Sequence, residues 1–178
     1  MFYRSERLLL RPSWPEDWQG ILAGIADEGV LRNLASAPNP YQEQDAREFA
    51  AREIPLLYPR FLITRAKDAS IIGCIGVDET DNGQAEMGYW IARPHWGQGY
   101  ATEAGRAAIE VSRTLGHTRI NAAHFLDNPA SGKVLRKIGF VPTGGQRRQY
   151  SYGRGEEATA TEYAIDLEID AGRLMRAA

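Results

Sequence analysis

The chain has 178 residues, a formal net charge of −2, 43% hydrophobic and 25% charged residues, ordinary values for a folded domain that exclude an intrinsically disordered chain, a collagen-like repeat and a coiled coil. With 21 Lys and Arg against 23 Asp and Glu and no block of like charge, the composition offers no phosphate-neutralising surface, so nucleic acid is not expected as a partner. The lone cysteine, Cys74, has no disulfide partner, no stretch reaches the ~20 apolar residues of a membrane span, and only three leucines follow the amino-terminal segment, so the expectation is an unprocessed, soluble, cytoplasmic chain without membrane association, folded as one domain over residues 1–178.

In chain order, Arg7-Leu8-Leu9-Leu10-Arg11 reads as a short strand closed by Pro12. Ser13-Trp14-Pro15-Glu16 has the spacing of a capping box, which predicts a helix whose apolar face carries Ile21, Leu22 and Ile25. After Ala37-Pro38-Asn39-Pro40, the spacing of Ala46, Phe49, Ala50 and Ile54 predicts a second amphipathic helix from Gln42 to about Ile54. Phe61 to Thr64, Ile71 to Val77 and Glu86 to Ile91 are β-rich and separated by Lys67-Asp68 and Asp81-Asn82-Gly83, which predicts an antiparallel meander. Ala101 to about Leu115 has helical period and ends at Gly116; a strand near Ile120 to Phe125 and a short helix over Pro129 to Ile138, ended by Gly139, follow. The polar, glycine-rich stretch from Gly144 to Gly155 reads as a loop or long hairpin, and Thr161 to Ile169 alternates as a half-buried closing strand through Tyr163, Ile165, Leu167 and Ile169.

The most informative segment is Pro94 to Thr102, where a strand runs through a glycine loop into a helix. Gly97 and Gly99 let backbone approach a ligand, and the helix behind them presents free N–H groups and its positive dipole end, an arrangement suited to phosphate. Tyr100-Ala101 stand where a nucleotide-triphosphate loop needs Lys and Ser or Thr, and Thr102 stands where a dinucleotide fingerprint needs its third glycine, so both common nucleotide motifs fail.

The same residues resemble the GNAT superfamily of acetyl-CoA-dependent N-acetyltransferases, whose cofactor loop reads Gln/Arg-x-x-Gly-x-Gly/Ala. Gly99 and Ala101 fill its last two places, while Trp96 replaces the first, a departure similar to the ribosomal-protein amino-terminal acetyltransferase branch. Asn128 to Phe140 resembles that branch's Asn-x-x-Ser-x-x-Val-Leu-x-Lys-x-Gly-Phe, and further matches lie at Glu6 to Pro12 and Glu86 to Trp90. The resemblance implies a mixed α+β fold, a central, mostly antiparallel twisted sheet flanked by helices. It further implies acetyl-CoA as cosubstrate, direct transfer to an amine in a ternary complex, and a homodimer as an allowed state.

Carried over residue by residue, the resemblance puts the pyrophosphate on the backbone of Gly97, Gln98, Gly99, Tyr100, Ala101 and Thr102, and the pantetheine arm along Trp90, Ile91 and Ala92. Asn128 would bond that arm, although an Asn before Pro129 at a first helical position is equally an N-cap. Ser131 sits where the branch places a hydroxyl near the cofactor sulfur, the Tyr used by other members being replaced by Leu135; Ser131 is the candidate donor to the leaving thiolate, or serves the helix backbone. Glu86, on one strand face with Gly88 and Trp90, is the candidate base, or a solvated carboxylate beyond the hairpin.

Other residues have simpler readings. Glu103 is read as a first-turn acid complementing the helix dipole. His95, His117 and His124 lack metal-ligand spacing, so no metal is expected. Cys74 lacks a partner base, the aromatics Tyr89, Trp90, Trp96 and Tyr100 are pocket wall or core, and Arg147, Arg148 and Arg154 are solvated surface or, as the alternative, contacts to the cofactor 3′-phosphate or an acidic substrate.

An α-amino group, with pKa about 7.7–8.0, needs less help from a base than a lysine near 10.4, which favours a protein or peptide amino terminus as acceptor. A small amine (polyamine, amino acid or aminoglycoside) is the competing acceptor, and a non-catalytic acyl-CoA sensor is the alternative of another class.

Overall fold

The computed structural model describes residues 1–168. Strands β1 (Tyr3–Arg4) and β2 (Leu8–Arg11) pair antiparallel, and the expected meander follows as β3 (Arg60–Arg65), β4 (Ile71–Glu79) and β5 (Ala85–Ile91). With β6 (Arg119–Phe125), β7 (Val141–Ser151) and β8 (Glu156–Asp166) they make one eight-stranded sheet in the order β1-β2-β3-β4-β5-β6-β8-β7. Every neighbouring pair is antiparallel except β5 and β6, the mostly antiparallel mixed fold implied by the sequence.

Alternation along the strands separates two cores. Leu62, Cys74 and Trp90 pack under α1 (Trp18–Ile25), α2 (Glu28–Leu31) and α3 (Glu43–Ala51), against Ile21, Ile25, Val30, Leu31, Ala46 and Ala50. Residues of opposite parity, among them Ile63, Ile75, Met87 and Ile91, pack under α4 (Tyr100–Thr114) and α5 (Pro129–Lys137), against Ala104, Ala108 and Leu135. Burying each large aliphatic side chain contributes about 1.5–3 kcal/mol.

Several expectations are corrected. Ser13 does not cap the first helix: its hydroxyl donates to the Ala50 carbonyl at 3.0 Å, tying the two helical segments together, and the reciprocal bond comes one residue later, from the Trp14 N–H to the Asp17 carboxylate at 2.7 Å. The second predicted helix stops at Ala51 rather than near Ile54, because Ile54 precedes Pro55 and the chain is already extended at Arg52 (φ −65°, ψ 129°). The short helix α2, capped by the Asp27 carboxylate on the Gly29 N–H, was not expected. The stretch from Gly144 to Gly155 is a hairpin, with β7 interrupted by a bulge between Pro142 and Gln146. Polar residues on both faces of this edge strand hide its period. The closing strand begins earlier than expected, at Glu156, and Ile169 lies outside the described residues.

Candidate active site

The site starts from a failure of pairing. Parallel strands β5 and β6 are in register only at Glu86↔Asn121 and Met87↔Ala122; beyond these, β5 runs on to Ile91 and β6 to Phe125 without pairing. On its other edge β5 stays bonded to β4, where the Ala92 N–H donates to the Ile72 carbonyl at 2.8 Å. Residues two apart direct their backbone groups the same way, so Trp90, like Ala92, is committed to β4. Tyr89 and Ile91 turn theirs into the gap, and the Ile91 carbonyl takes the Trp96 indole N–H at 2.6 Å. Of the three residues expected along the pantetheine arm, Ile91 therefore faces the gap with its backbone, while the N–H of Ala92 is spent on the sheet.

The gap leads to the glycine loop. Gly97 (φ +72°) and Gly99 (φ +82°) adopt the left-handed conformation that side chains disfavour. Gly99 caps α4, and the Glu103 N–H is the first in the segment to find a partner, the Gly99 carbonyl at 3.0 Å. The N–H groups of Gly97, Gln98, Gly99, Tyr100, Ala101 and Thr102 have no partner among the described residues. A Cβ at Gly97 would meet nothing within 4 Å. Six consecutive unpaired amides at a helix start, with open space beside them, fit a diphosphate group.

Glu103 is more than a dipole complement. It accepts from the Ser5 hydroxyl, the Arg7 backbone N–H and Arg7 Nε, each at 2.7 Å, while Arg7 Nη1 donates to the Gln98 carbonyl at 3.0 Å. Partial burial pushes the Glu103 carboxyl up, but these donors outweigh it and hold the group below the usual carboxylate range. The β1–β2 turn is thereby clamped to the loop.

Across the gap, the Asn128 side chain caps α5 by accepting the Ser131 N–H at 3.3 Å. Ser131 Oγ lies 2.9 Å from the Tyr89 hydroxyl, and burial pushes that phenol up to about 12 against the opposing effect of the Ser131 bond. Tyr89 points to the α5 side of the sheet, whereas Glu86, Gly88 and Trp90 face the other side. Glu86 is held by both guanidinium nitrogens of Arg147, at 2.9 and 2.6 Å, and Arg147 lies 3.7 Å from Glu162.

Two of the three hairpin arginines, Arg147 and Arg154, are not solvated surface. Arg147 holds Glu86, and Arg154 grips Asp127 at 2.9 and 2.8 Å, donates to the Arg32 carbonyl at 2.6 Å and stacks on Phe125 at 4.5 Å. Arg148 is the exposed one, paired with Glu157 at 3.0 Å. The Ser151 hydroxyl and the Tyr152 N–H bond the Leu34 and Ala35 carbonyls, so the hairpin tip is fastened to the segment after α2. These contacts wall a cleft of about 1270 Å³ that passes through the gap, from Gly97, Gly99, Asn128 and Ser131 on one side to Glu86, Gly88, Trp90, Phe125 and Arg147 on the other. Cys74 lines it too, but burial pushes its thiol up to about 12, which removes a thiolate nucleophile.

Sequence reasoning missed the roles of Tyr89 and Arg147. The strand alternation that grouped Glu86 with Trp90 already put Tyr89 on the opposite face, whereas nothing local signals a partner for Glu86 61 residues away.

Comparison with known proteins agrees with this architecture. A family model described as an acetyltransferase (GNAT) domain matches residues 7–141. The uncharacterized N-acetyltransferase YoaA of Bacillus subtilis is 32% identical over 167 residues, 90% of this chain and 94% of that protein. The ribosomal-protein-serine acetyltransferase of Escherichia coli is 33% identical over 81 residues, 44% of this chain and 45% of that protein. Among solved structures, the spermidine N-acetyltransferase of Vibrio cholerae in complex with CoA and spermine shares the fold, with a TM-score of 0.76 at 21% identity, covering 93% of this chain and 98% of that one.

Proposed function

Since the chain belongs to the GNAT acetyltransferase family and is an acetyl-CoA-dependent N-acetyltransferase, we propose that it transfers acetyl directly to the amino terminus of a protein or peptide in the cytoplasm. The observation that carries this acceptor is the pairing of Glu86. Both oxygens of the one carboxylate on β5 beside the gap are engaged by Arg147, so the group is committed to an ion pair rather than standing free as a dedicated base for a strongly basic amine. An α-amino group, with pKa about 7.7–8.0, is appreciably neutral at pH 7 without such a base, whereas a lysine-like amine near 10.4 is not. The partial likeness to the ribosomal-protein-serine acetyltransferase supports the same reading.

The unpaired amides of residues 97–102 suit the pyrophosphate, and the gap-facing backbone of Tyr89 and Ile91 suits the pantetheine arm as an added strand. An N–H there is placed to polarise the thioester carbonyl. The neutral amine, approaching from the Glu86 and Trp90 side, attacks the carbonyl carbon; its proton passes to water or to Glu86, and CoA leaves as thiolate toward Ser131. Asn128 caps α5 and offers its amide N–H groups to the arm.

A second acceptor class is favoured by one observation. Asp45, Glu48, Asp78, Glu79 and Asp81 line the cleft together with Arg52 and Arg60, and these carboxylates would attract a polyamine. The test is CoA release from acetyl-CoA over one panel: peptides beginning with Ala, Ser, Thr or Met, polyamines, amino acids and aminoglycosides. Peptides are expected to give the highest kcat/KM; a polyamine ahead of every peptide overturns the acceptor assignment. Acetyl-CoA binding without release to any amine would make the chain an acyl-CoA sensor.

A further inference from the structure

The Tyr89–Ser131 pair has a directionality that follows from the chemistry of its two hydroxyls. Its two oxygens are 2.9 Å apart, so one hydroxyl hydrogen lies between them. The Tyr89 ring packs against the core under α4 and α5, and its hydroxyl has no other hydrogen-bond partner among the described residues. A phenol O–H in such surroundings needs an acceptor, and Ser131 Oγ supplies one. Both residues line the cleft, and Ser131 Oγ too has no other partner among the described residues; a phenol is the stronger donor and the weaker acceptor of the two hydroxyl types, so the shared hydrogen is that of Tyr89.

From this we infer that Tyr89 is a positioning residue: by donating its hydrogen to Ser131 Oγ, it leaves the serine hydrogen unassigned inside the protein and aimed into the cleft, where it is donated to the departing CoA sulfur. The inference rests on the acetyl-transfer reading above and deepens it. As the C–N bond forms and the tetrahedral centre collapses, the C–S bond breaks with both electrons going to sulfur. The amine proton goes to water or to Glu86, and the thiolate is reprotonated by water after release, so protons balance without Tyr89 or Ser131 changing state. Full proton transfer is not required of this pair. The aliphatic hydroxyl of Ser131 is a far weaker acid than a thiol, about 8.5 for cysteine, so stabilisation by a donated hydrogen bond is the feasible role. A bond to a charged sulfur is stronger than one to the neutral thioester, so it acts selectively as the leaving group forms.

Tyr89→Phe removes one oxygen and keeps the ring. The serine hydroxyl then loses its fixed donor and its hydrogen is free to turn. Two measurements test this on the full chain. In steady state, Y89F and S131A each lower kcat about 10-fold with little change in the KM for acetyl-CoA, and the double variant is no worse than S131A alone. In calorimetry at pH 9, wild type binds CoA about 10-fold tighter than desulfo-CoA, in which hydrogen replaces the thiol. That preference falls to about one in S131A and to within about 3-fold of one in Y89F. Equal binding of the two ligands by wild type, or a preference that Y89F retains while S131A loses it, overturns the inference. If wild type acetylates no amine but its sulfur preference responds as expected, the transfer reading fails and the Tyr89–Ser131–sulfur contact stands.

Discussion

The two sides of the cleft are built differently. On the glycine-loop side, the groups expected to meet the pyrophosphate lie within six consecutive residues, 97–102, and their conformation is dictated by two local glycines and a helix start. On the acceptor side the wall is assembled from distant parts of the chain. Arg147 reaches Glu86 across 61 positions, Arg154 reaches the Arg32 carbonyl across 122, and the Ser151 hydroxyl reaches the Leu34 carbonyl across 117. A contiguous backbone site recognises a ligand common to a whole family. A wall made by long-range ion pairs can change from member to member without disturbing the loop, which is how one fold serves many acceptors.

The sharpest test of that division is Gly97→Asp. Its Cβ enters open space and Asp tolerates positive φ better than most residues, so the fold survives. A carboxylate about 4 Å from a bound phosphate costs on the order of 4 kcal/mol at an effective dielectric of 20. Acetyl-CoA affinity is therefore expected to fall about 100-fold or more in calorimetry, with the melting temperature nearly unchanged. A protein that still binds acetyl-CoA within a few-fold of wild type would show that the anion sits elsewhere.

Gly88→Leu is the mirror experiment. Gly88 shares the acceptor-side face with Glu86 and Trp90, and a Cβ there meets nothing within 4 Å. Leucine fills the passage rather than displacing protein atoms. The expected outcome is a fall of about 10-fold or more in kcat/KM for the acceptor, equivalent to about 1.4 kcal/mol, with acetyl-CoA affinity held within about 2-fold. Equal damage to both ligands would mean that the two sides are not separable.

The same division explains what the sequence made legible. The loop, the start of α4, the Asn-Gly hairpin and the Asn128 cap each depend on residues within a few positions, and each appears in the structure where local chemistry put it. The unexpected features that shape the acceptor wall are long-range. Ser13 has the spacing of a cap, but the Ala50 carbonyl claims its hydroxyl. Arg147 and Arg154 sit in a polar, glycine-rich stretch whose solvated appearance comes from an edge strand with a bulge, and only folding brings Glu86 and Asp127 within reach of them. Even Glu103, correctly placed in a first turn, owes its main contacts to Ser5 and Arg7, 98 and 96 positions away.

The smallest expected effect concerns the anchor of the acceptor wall. Asp127 immediately precedes Asn128 and accepts from both Arg154 and Arg32. The Arg154 hydrogen bonds, opposed by partial burial and aided by the charge of Arg32, hold its carboxyl below the usual carboxylate range. A carboxyl depressed in the folded state stabilises the fold above its unfolded pKa of about 3.9, and that contribution disappears as pH falls through the lower folded value. With the Asp127 side chain 46% exposed, solvent screening limits the ion pair to about 1 kcal/mol. Asp127→Asn should thus lower the melting temperature by about 2–4 °C at pH 7. The gap from wild type should narrow as pH falls below about 3.9, where Asp127 of the unfolded chain takes up a proton before that of the folded chain. Because Arg154 also stacks on Phe125 and bonds the Arg32 carbonyl, the hairpin stays docked and acetyl-CoA affinity is unchanged. A melting difference of the same size at pH 3 and pH 7 would assign the loss to packing rather than charge.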